Sequence, residues 1–266
     1  MLTNFHTHTT FCDGKNTPEE IVLFAIDKGY SSIGFSGHGY TPFDLRYCMK
    51  DTEGYISEIN RLKLKYKDKI QIYLGIEEDA FAPVKKENFD YTIGSSHYFC
   101  VDGKYYPIDS NADYFKKCIE VFDNDILKLS DSYYSSFLKY IRNCKPDIIG
   151  HFDVITKFDE SDLDMFLNNE KYLKLSEKYL LEFLKSDLIF EANTGAIARG
   201  YRKNPYPHDN LLYLIKKNDG KLMLSSDSHS VETLDFYFEE TKKKLKDIGF
   251  TYVYVLYDGG FKKNHL

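Results

Sequence analysis

The chain has 266 residues, 42% hydrophobic and 29% charged, which leaves ample material for a folded core and excludes a disordered or fibrous class. Its net charge of -6 argues against nucleic acid as the main partner, because binding a phosphate backbone normally wants a basic face. The five cysteines (Cys12, Cys48, Cys100, Cys118 and Cys144) contain no C-x-x-C pair, so they suit a reducing compartment better than a disulfide framework or a zinc ribbon. The opening MLTNFHTHTT lacks the basic and apolar regions of a signal peptide, and no run approaches the length of a membrane span. The expected address is the cytoplasm, with no membrane partner.

Short apolar runs alternate with longer amphipathic stretches along the whole chain. Strands are expected at 2–6, 32–36, 70–77, 91–95, 147–151, 188–193, 222–226 and 251–256. The clearest helix starts at Thr17, with Pro18 at the first helical position and Glu20 completing a capping box. Ile21, Phe24, Ala25 and Lys28 then follow at helical spacing. Further helices are expected at 51–66, 111–127, 132–143, 171–186, 208–217 and 231–247. Alternating strands and helices imply a parallel sheet, and seven or eight such units favour a closed or distorted α/β barrel over an open sheet. Residues 102–132, rich in Tyr, Asp and Lys, read as an insertion between units, so residues 1–266 are expected to form a single domain.

The histidines and acids fall in a telling place. Six of the eight histidines lie at or just beyond the C-terminal end of an expected strand: His6 and His8, then His38, His97, His151 and His229. Glu77 closes the third strand, Glu191 and Asn193 the sixth, and Asp227 the seventh. In a barrel these ends meet on one face, where such enzymes keep their active sites. In Phe5-His6-Thr7-His8 the two imidazoles point to the same side of a strand and can grip one metal. Asp227-Ser228-His229 repeats the geometry with a carboxylate. Gly37-His38, Gly94-Ser95-Ser96-His97 and Gly150-His151 place histidines after small residues that let backbone pass close to a crowded site.

Nine candidate ligands (His6, His8, Asp13, His38, Glu77, His97, His151, Asp227 and His229) are too many for one ion. They fit two or three divalent ions, with a carboxylate such as Glu77 bridging. Imidazole with carboxylate suits zinc, iron or manganese alike.

The ordered set His6-x-His8, Asp13-Gly14, Gly37-His38, Gly75-Ile76-Glu77, His97, Gly150-His151 and Asp227-x-His229 resembles the PHP superfamily, named for polymerases and histidinol phosphatases. The resemblance runs from His6 to His229. It implies a distorted (β/α)7 TIM-like barrel with a trinuclear site. On that pattern His6, His8, Glu77 and Asp227 hold one ion, Glu77, His97 and His151 a second, and Asp13, His38 and His229 a third. Glu78 would point the opposite way on its strand and is expected to be structural. The segments Asp90 to Tyr98 and Glu191-Ala192-Asn193-Thr194-Gly195, with Arg199, Arg202 and Pro205-Tyr206-Pro207 beyond, resemble the histidinol-phosphate phosphatase branch. Lys157 stands where that branch often places an arginine for substrate phosphate; it keeps the charge but loses the bidentate fork.

The resemblance implies hydrolysis of a small phosphate monoester, L-histidinol phosphate, in histidine biosynthesis. A phosphate monoester dianion is cleaved by positioning and charge neutralisation rather than by a side-chain nucleophile. Arg199, with Lys157 and Arg202, would offset phosphoryl charge; Asp227 and His229 are the further catalytic candidates, Asp227 helping the leaving alkoxide. Glu191 is the candidate acid for the substrate amine. One rival is the same chemistry on phosphotyrosine protein or nucleotides. Another is amidohydrolase chemistry, against which Glu77 in the bridging position speaks. A third is a regulatory module that has lost activity, which the intact ligand set disfavours.

Overall fold

The computed structural model describes residues 1–266. The chain opens on β1 (Thr3–Asn4), and Thr17 then starts α1 (Pro18–Asp27). The capping box forms as read: Glu20 N donates to Thr17 Oγ1 at 3.3 Å and Thr17 N to Glu20 Oε2 at 2.8 Å. Two amides that a helix start leaves free are thereby satisfied. Asp51 caps α2 (Thr52–Lys65), which links β2 (Ser32–Phe35) to β3 (Gln71–Asp79); β4 (Tyr91–Ser95) follows. The chain then leaves the barrel in a hairpin of β5 (Tyr98–Val101) and β6 (Lys104–Pro107), continued by α3 (Ala112–Glu120) and α4 (Ile126–Cys144). The remaining elements are β7 (Ile148–Ile149), α5 (Glu170–Leu184), β8 (Ile189–Asn193), a single-turn α6 (Gly195–Ala198), α7 (Asp209–Lys217), β9 (Lys221–Ser225), α8 (Phe238–Ile248), β10 (Tyr252–Tyr257) and β11 (Gly260–His265).

Seven parallel strands share one sheet in the order β1-β2-β3-β4-β7-β8-β9. At the C-terminal rim its two edges meet: His8 N donates to Ser228 O at 2.8 Å and Ser228 N to His6 O at 3.1 Å. The result is a nearly closed, distorted α/β barrel with the longer helices outside. No helix is long and apolar enough to cross a membrane.

The barrel interior is filled from below. Phe5, Tyr73, Tyr91, Ile93, Ile148, Ile189 and Met223 pack with Val255 and Leu256 of β10. The Tyr91 ring occupies the space that Gly34 and Gly75 leave; a Cβ at either glycine would run into it. Its hydroxyl donates to Phe5 O at 2.6 Å, tying β4 to the strand that carries His6.

Two expectations need correction. Residues 251–256 are not an eighth barrel strand. They pair antiparallel with β11 around an Asp258-Gly259 turn, and the hairpin plugs the N-terminal mouth. Ser32 Oγ donates to Leu256 O at 3.0 Å and Gln71 Nε2 to Asp258 Oδ1 at 2.8 Å, both from the first residues of barrel strands. The segment 102–132 is an excursion from the barrel, as expected, but its hairpin already begins at Tyr98.

Leu256 is 4% exposed and sits inside this plug. Leu256→Ala should therefore lower stability by about 2–5 kcal/mol. A fall in the urea unfolding midpoint checks this; an unchanged midpoint would show that the hairpin is only draped over the barrel.

Candidate metal centre

Glu77 is the centre of the site. It lies near the end of β3, 1% exposed, and five imidazoles face its two oxygens. Oε1 is 3.0 Å from His151 Nε2 and 3.4 Å from His97 Nε2. Oε2 is 2.9 Å from His38 Nδ1, 3.3 Å from His6 Nε2 and 3.6 Å from His8 Nε2. Ser95 Oγ donates to Oε1 at 2.6 Å, from a position that the absent side chain of Gly150 leaves open. Burial alone would raise the Glu77 pKa, but His6, His38 and His97 outweigh it and hold the carboxylate well below its usual range.

A second tier sits toward solvent. Asp227 Oδ1 is 3.1 Å from His8 Nε2 and 3.6 Å from His6 Nε2. Its backbone takes a left-handed conformation (φ 46°), which aspartate tolerates better than most residues. Asp13 lies 3.4 Å from His229 Nε2, 3.6 Å from His8 Nδ1 and 3.8 Å from His38 Nε2. The His8 and His229 rings stack at 4.1 Å. Burial, then the charges of His229 and His38, push the His8 pKa down to about 3, so its ring is neutral at ordinary pH with a lone pair to offer.

All nine residues expected as ligands thus converge. Their atoms form four overlapping groups: His8, Asp13, His38 and His229; His6, Glu77 and His151; His6, His8 and Asp227; and His38, Glu77 and His97. This differs from the three sets the resemblance implies, since His8 also joins the Asp13 group and His97 and His151 separate. A direct observation favours cations here. His6 Nε2, His8 Nε2 and Glu77 Oε2 are buried without a hydrogen-bond partner, yet they point at one another. Acceptors left so in the interior cost several kcal/mol unless a cation lies among them.

A further shell orients the rings. Glu191 Oε1 accepts from His6 Nδ1 at 2.7 Å and from Ser225 Oγ at 2.9 Å. Glu191 Oε2 accepts from His151 N and Asn193 Nδ2, both at 3.1 Å. With the proton held on Nδ1, His6 turns its Nε2 lone pair into the site. Glu191 is 1% exposed and fully used, so it is a support for His6 and not an acid open to substrate. Asp79 does the same for His97, accepting from its backbone N at 2.9 Å with Nδ1 at 3.3 Å. Asp79 is not among the residues that the sequence singles out, although it lies two residues beyond Glu77 and so shares its face of the strand. Glu78 points away as expected, receiving the Tyr140 hydroxyl and Val84 N, with its pKa raised by burial.

The site opens into a cavity of about 390 Å³. Three cations line it, of which Arg46 is taken up by Asp44 through both carboxylate oxygens. Arg199 Nη2 donates to Asp227 Oδ2 at 2.7 Å, and Nη1 lies 3.3 Å from His229 Nδ1. Lys157 Nζ donates to Asp109 O at 2.6 Å, its ammonium near the Phe158 and Tyr201 rings. Tyr47, Tyr98, Asp44 and Asp109 also line the cavity. Arg202 does not reach it, against expectation. Its side chain is wholly buried, donating to Thr156 Oγ1 at 2.9 Å beside Asp153 and Glu160, with its guanidinium 4.4 Å from the Tyr206 ring centroid. It braces the segment that carries Lys157 from behind. His208 is also buried there, 3.9 Å from Asp153.

The PHP domain model matches residues 4–195, which takes in the first seven of the nine clustered residues. The chain belongs to the PHP domain family. A Schizosaccharomyces pombe member described as "Probable histidinol-phosphatase" is 28% identical, over 94% of this chain and 88% of its own. The Bacillus subtilis histidinol-phosphatase is 27% identical, over 88% of this chain and 96% of its own. Among PHP structures, the Lactococcus lactis histidinol phosphate phosphatase, solved with zinc, L-histidinol and phosphate, superposes with a TM-score of 0.74. That likeness covers 98% of both chains at 21% identity and bears on the fold.

The shell around the rings sets a clear expectation. Glu191→Ala should weaken binding of the divalent ions by roughly 10–100-fold while leaving the cavity walls intact. Competition with a chromogenic chelator measures this; unchanged affinity would mean that the Glu191–His6 hydrogen bond does not shape the centre.

Proposed function

We propose that this chain is a metal-dependent phosphomonoesterase that hydrolyses L-histidinol phosphate to L-histidinol and phosphate. The observation that carries the reading is the nine-residue cluster opening directly onto a cavity with Arg199 and Lys157 at its wall. The histidinol-phosphatases among its relatives, alike over most of their length, point to the same substrate. Nine ligands in overlapping groups suit two or three divalent ions, zinc, iron or manganese, held by His6, His8, Asp13, His38, Glu77, His97, His151, Asp227 and His229. Such ions supply Lewis acidity and lower the pKa of a water toward neutrality.

The chain's own residues account for the rest. Arg199 and Lys157 bind and orient the phosphoryl oxygens, offsetting charge that grows as the ester bond breaks. A water oxygen gives up a proton and joins phosphorus, the ester P–O bond breaks, and the departing alkoxide takes up a proton. Asp227 and His229 border the cavity beside Arg199 and handle that proton. The cavity volume favours a small ester over a protein phosphotyrosine. The acidic balance disfavours nucleic acid, and five free cysteines fit the cytoplasm as the compartment.

Phosphate release from L-histidinol phosphate by metal-loaded protein, beside p-nitrophenyl phosphate and a phosphotyrosine peptide, tests the reading. A large preference for histidinol phosphate is expected, abolished in His8→Ala. In Arg199→Ala, kcat/KM should fall roughly 10–100-fold, as loss of charge-assisted hydrogen bonds implies. Comparable slow turnover of all three esters would overturn the substrate assignment.

A further inference from the structure

The proposed substrate carries an ammonium on the carbon next to its phosphorylated hydroxymethyl group. Glu191, the acid that the sequence suggests for that charge, stands behind His6. Four other carboxylates reach the cavity: Asp13, Asp44, Asp109 and Asp227. Asp13 and Asp227 face the imidazoles of the metal centre. Asp44 is already committed, gripped by Arg46 through both oxygens at 2.8 and 2.5 Å and by the Tyr98 hydroxyl at 2.9 Å. Asp109 is different. Its carboxylate accepts no hydrogen bond; Lys157 Nζ lies 3.6 Å from Oδ2 and donates instead to the Asp109 carbonyl at 2.6 Å. The Asp109 side chain is 27% exposed, and Ile108 N donating to His97 O at 2.9 Å fixes the segment against the metal centre.

We propose that Asp109 is the specificity-determining residue of this site, its carboxylate, which accepts no hydrogen bond, receiving the ammonium of a 2-amino-alcohol phosphate. This deepens the phosphatase reading above and rests on it. Lys157 and Asp109 present opposite charges side by side, mirroring a substrate whose phosphate and ammonium are a few bonds apart. An ester without the ammonium leaves the Asp109 carboxylate with no hydrogen-bond donor and only the Lys157 ammonium, 3.6 Å away, as a charge partner. A polar site discriminates most sharply against a substrate that leaves one of its groups unpaired.

The test compares kcat/KM of metal-loaded wild type, Asp109→Asn and Asp109→Glu on L-histidinol phosphate and on its desamino analogue, the imidazolylpropyl phosphate. Melting temperatures confirm that both variants fold. Wild type should prefer the amino ester by roughly 10–100-fold, the range of one charge-assisted hydrogen bond. Asp109→Asn should collapse that ratio toward one, and Asp109→Glu should restore part of it. An equal loss on both esters would mean that Asp109 acts only by holding Lys157, and would overturn the proposal. A ratio that survives in Asp109→Asn would overturn it too, leaving the phosphatase reading intact. Wild type that handles histidinol phosphate no better than p-nitrophenyl phosphate would instead remove the phosphatase reading itself, and this proposal with it.

Discussion

The structure depends on one buried carboxylate. Glu77 lies 1% exposed inside the barrel with five imidazoles around it. An isolated carboxylate there would cost many kcal/mol or take up a proton. Positive charge nearby removes that cost, and the neighbouring residues are arranged to provide or attract it. The imidazoles turn lone pairs inward because Glu191 and Asp79 hold protons on the far side of His6 and His97. The arrangement is a frame for cations, and binding them neutralises what would otherwise be a destabilising concentration of acceptors.

The barrel makes such a frame possible. Parallel strands bring residues distant in sequence to one rim, so His6, Glu77, His151 and Asp227 meet although each arrives on a different strand. The opposite mouth has another task. It is closed by the β10–β11 hairpin, and the Tyr91 ring fills the space below the metal centre while its hydroxyl ties β4 to Phe5. A rigid floor under a strained rim, with Asp227 in a left-handed conformation, allows the ligands to be held before any ion arrives. The excursion after β4 adds the outer wall of the cavity, with Tyr98 and Asp109.

Much of this is legible in the residues. Histidines at successive strand ends announce one face of a barrel, Thr17 and Glu20 announce a helix start, and period-two alternation separates Glu77 from Glu78. What escaped has physical reasons. Residues 251–256 have the same apolar pattern as a barrel strand, and pattern alone cannot reveal whether a strand pairs within the sheet or beneath it. The Asp258-Gly259 pair beyond it was the available signal, since Asp-Gly between apolar runs favours a hairpin. Arg202 and Glu191 looked open to substrate because charged residues near a site usually are. Their burial arises from tertiary partners, Asp153 and Glu160 for one and His6 and Ser225 for the other, which no local pattern encodes. Asp109 lies in a polar excursion where sequence offers many acids and no means of choosing among them.

The most direct test of the central claim is the metal content of Glu77→Gln, read by plasma mass spectrometry beside wild type, with circular dichroism to show that the barrel persists. The amide keeps the shape and removes the charge that five imidazoles share. The account expects wild type to retain two or three ions per chain and the folded variant to retain one or none. A folded variant with the full wild-type complement would contradict it, because the centre would then be held by its imidazoles without Glu77.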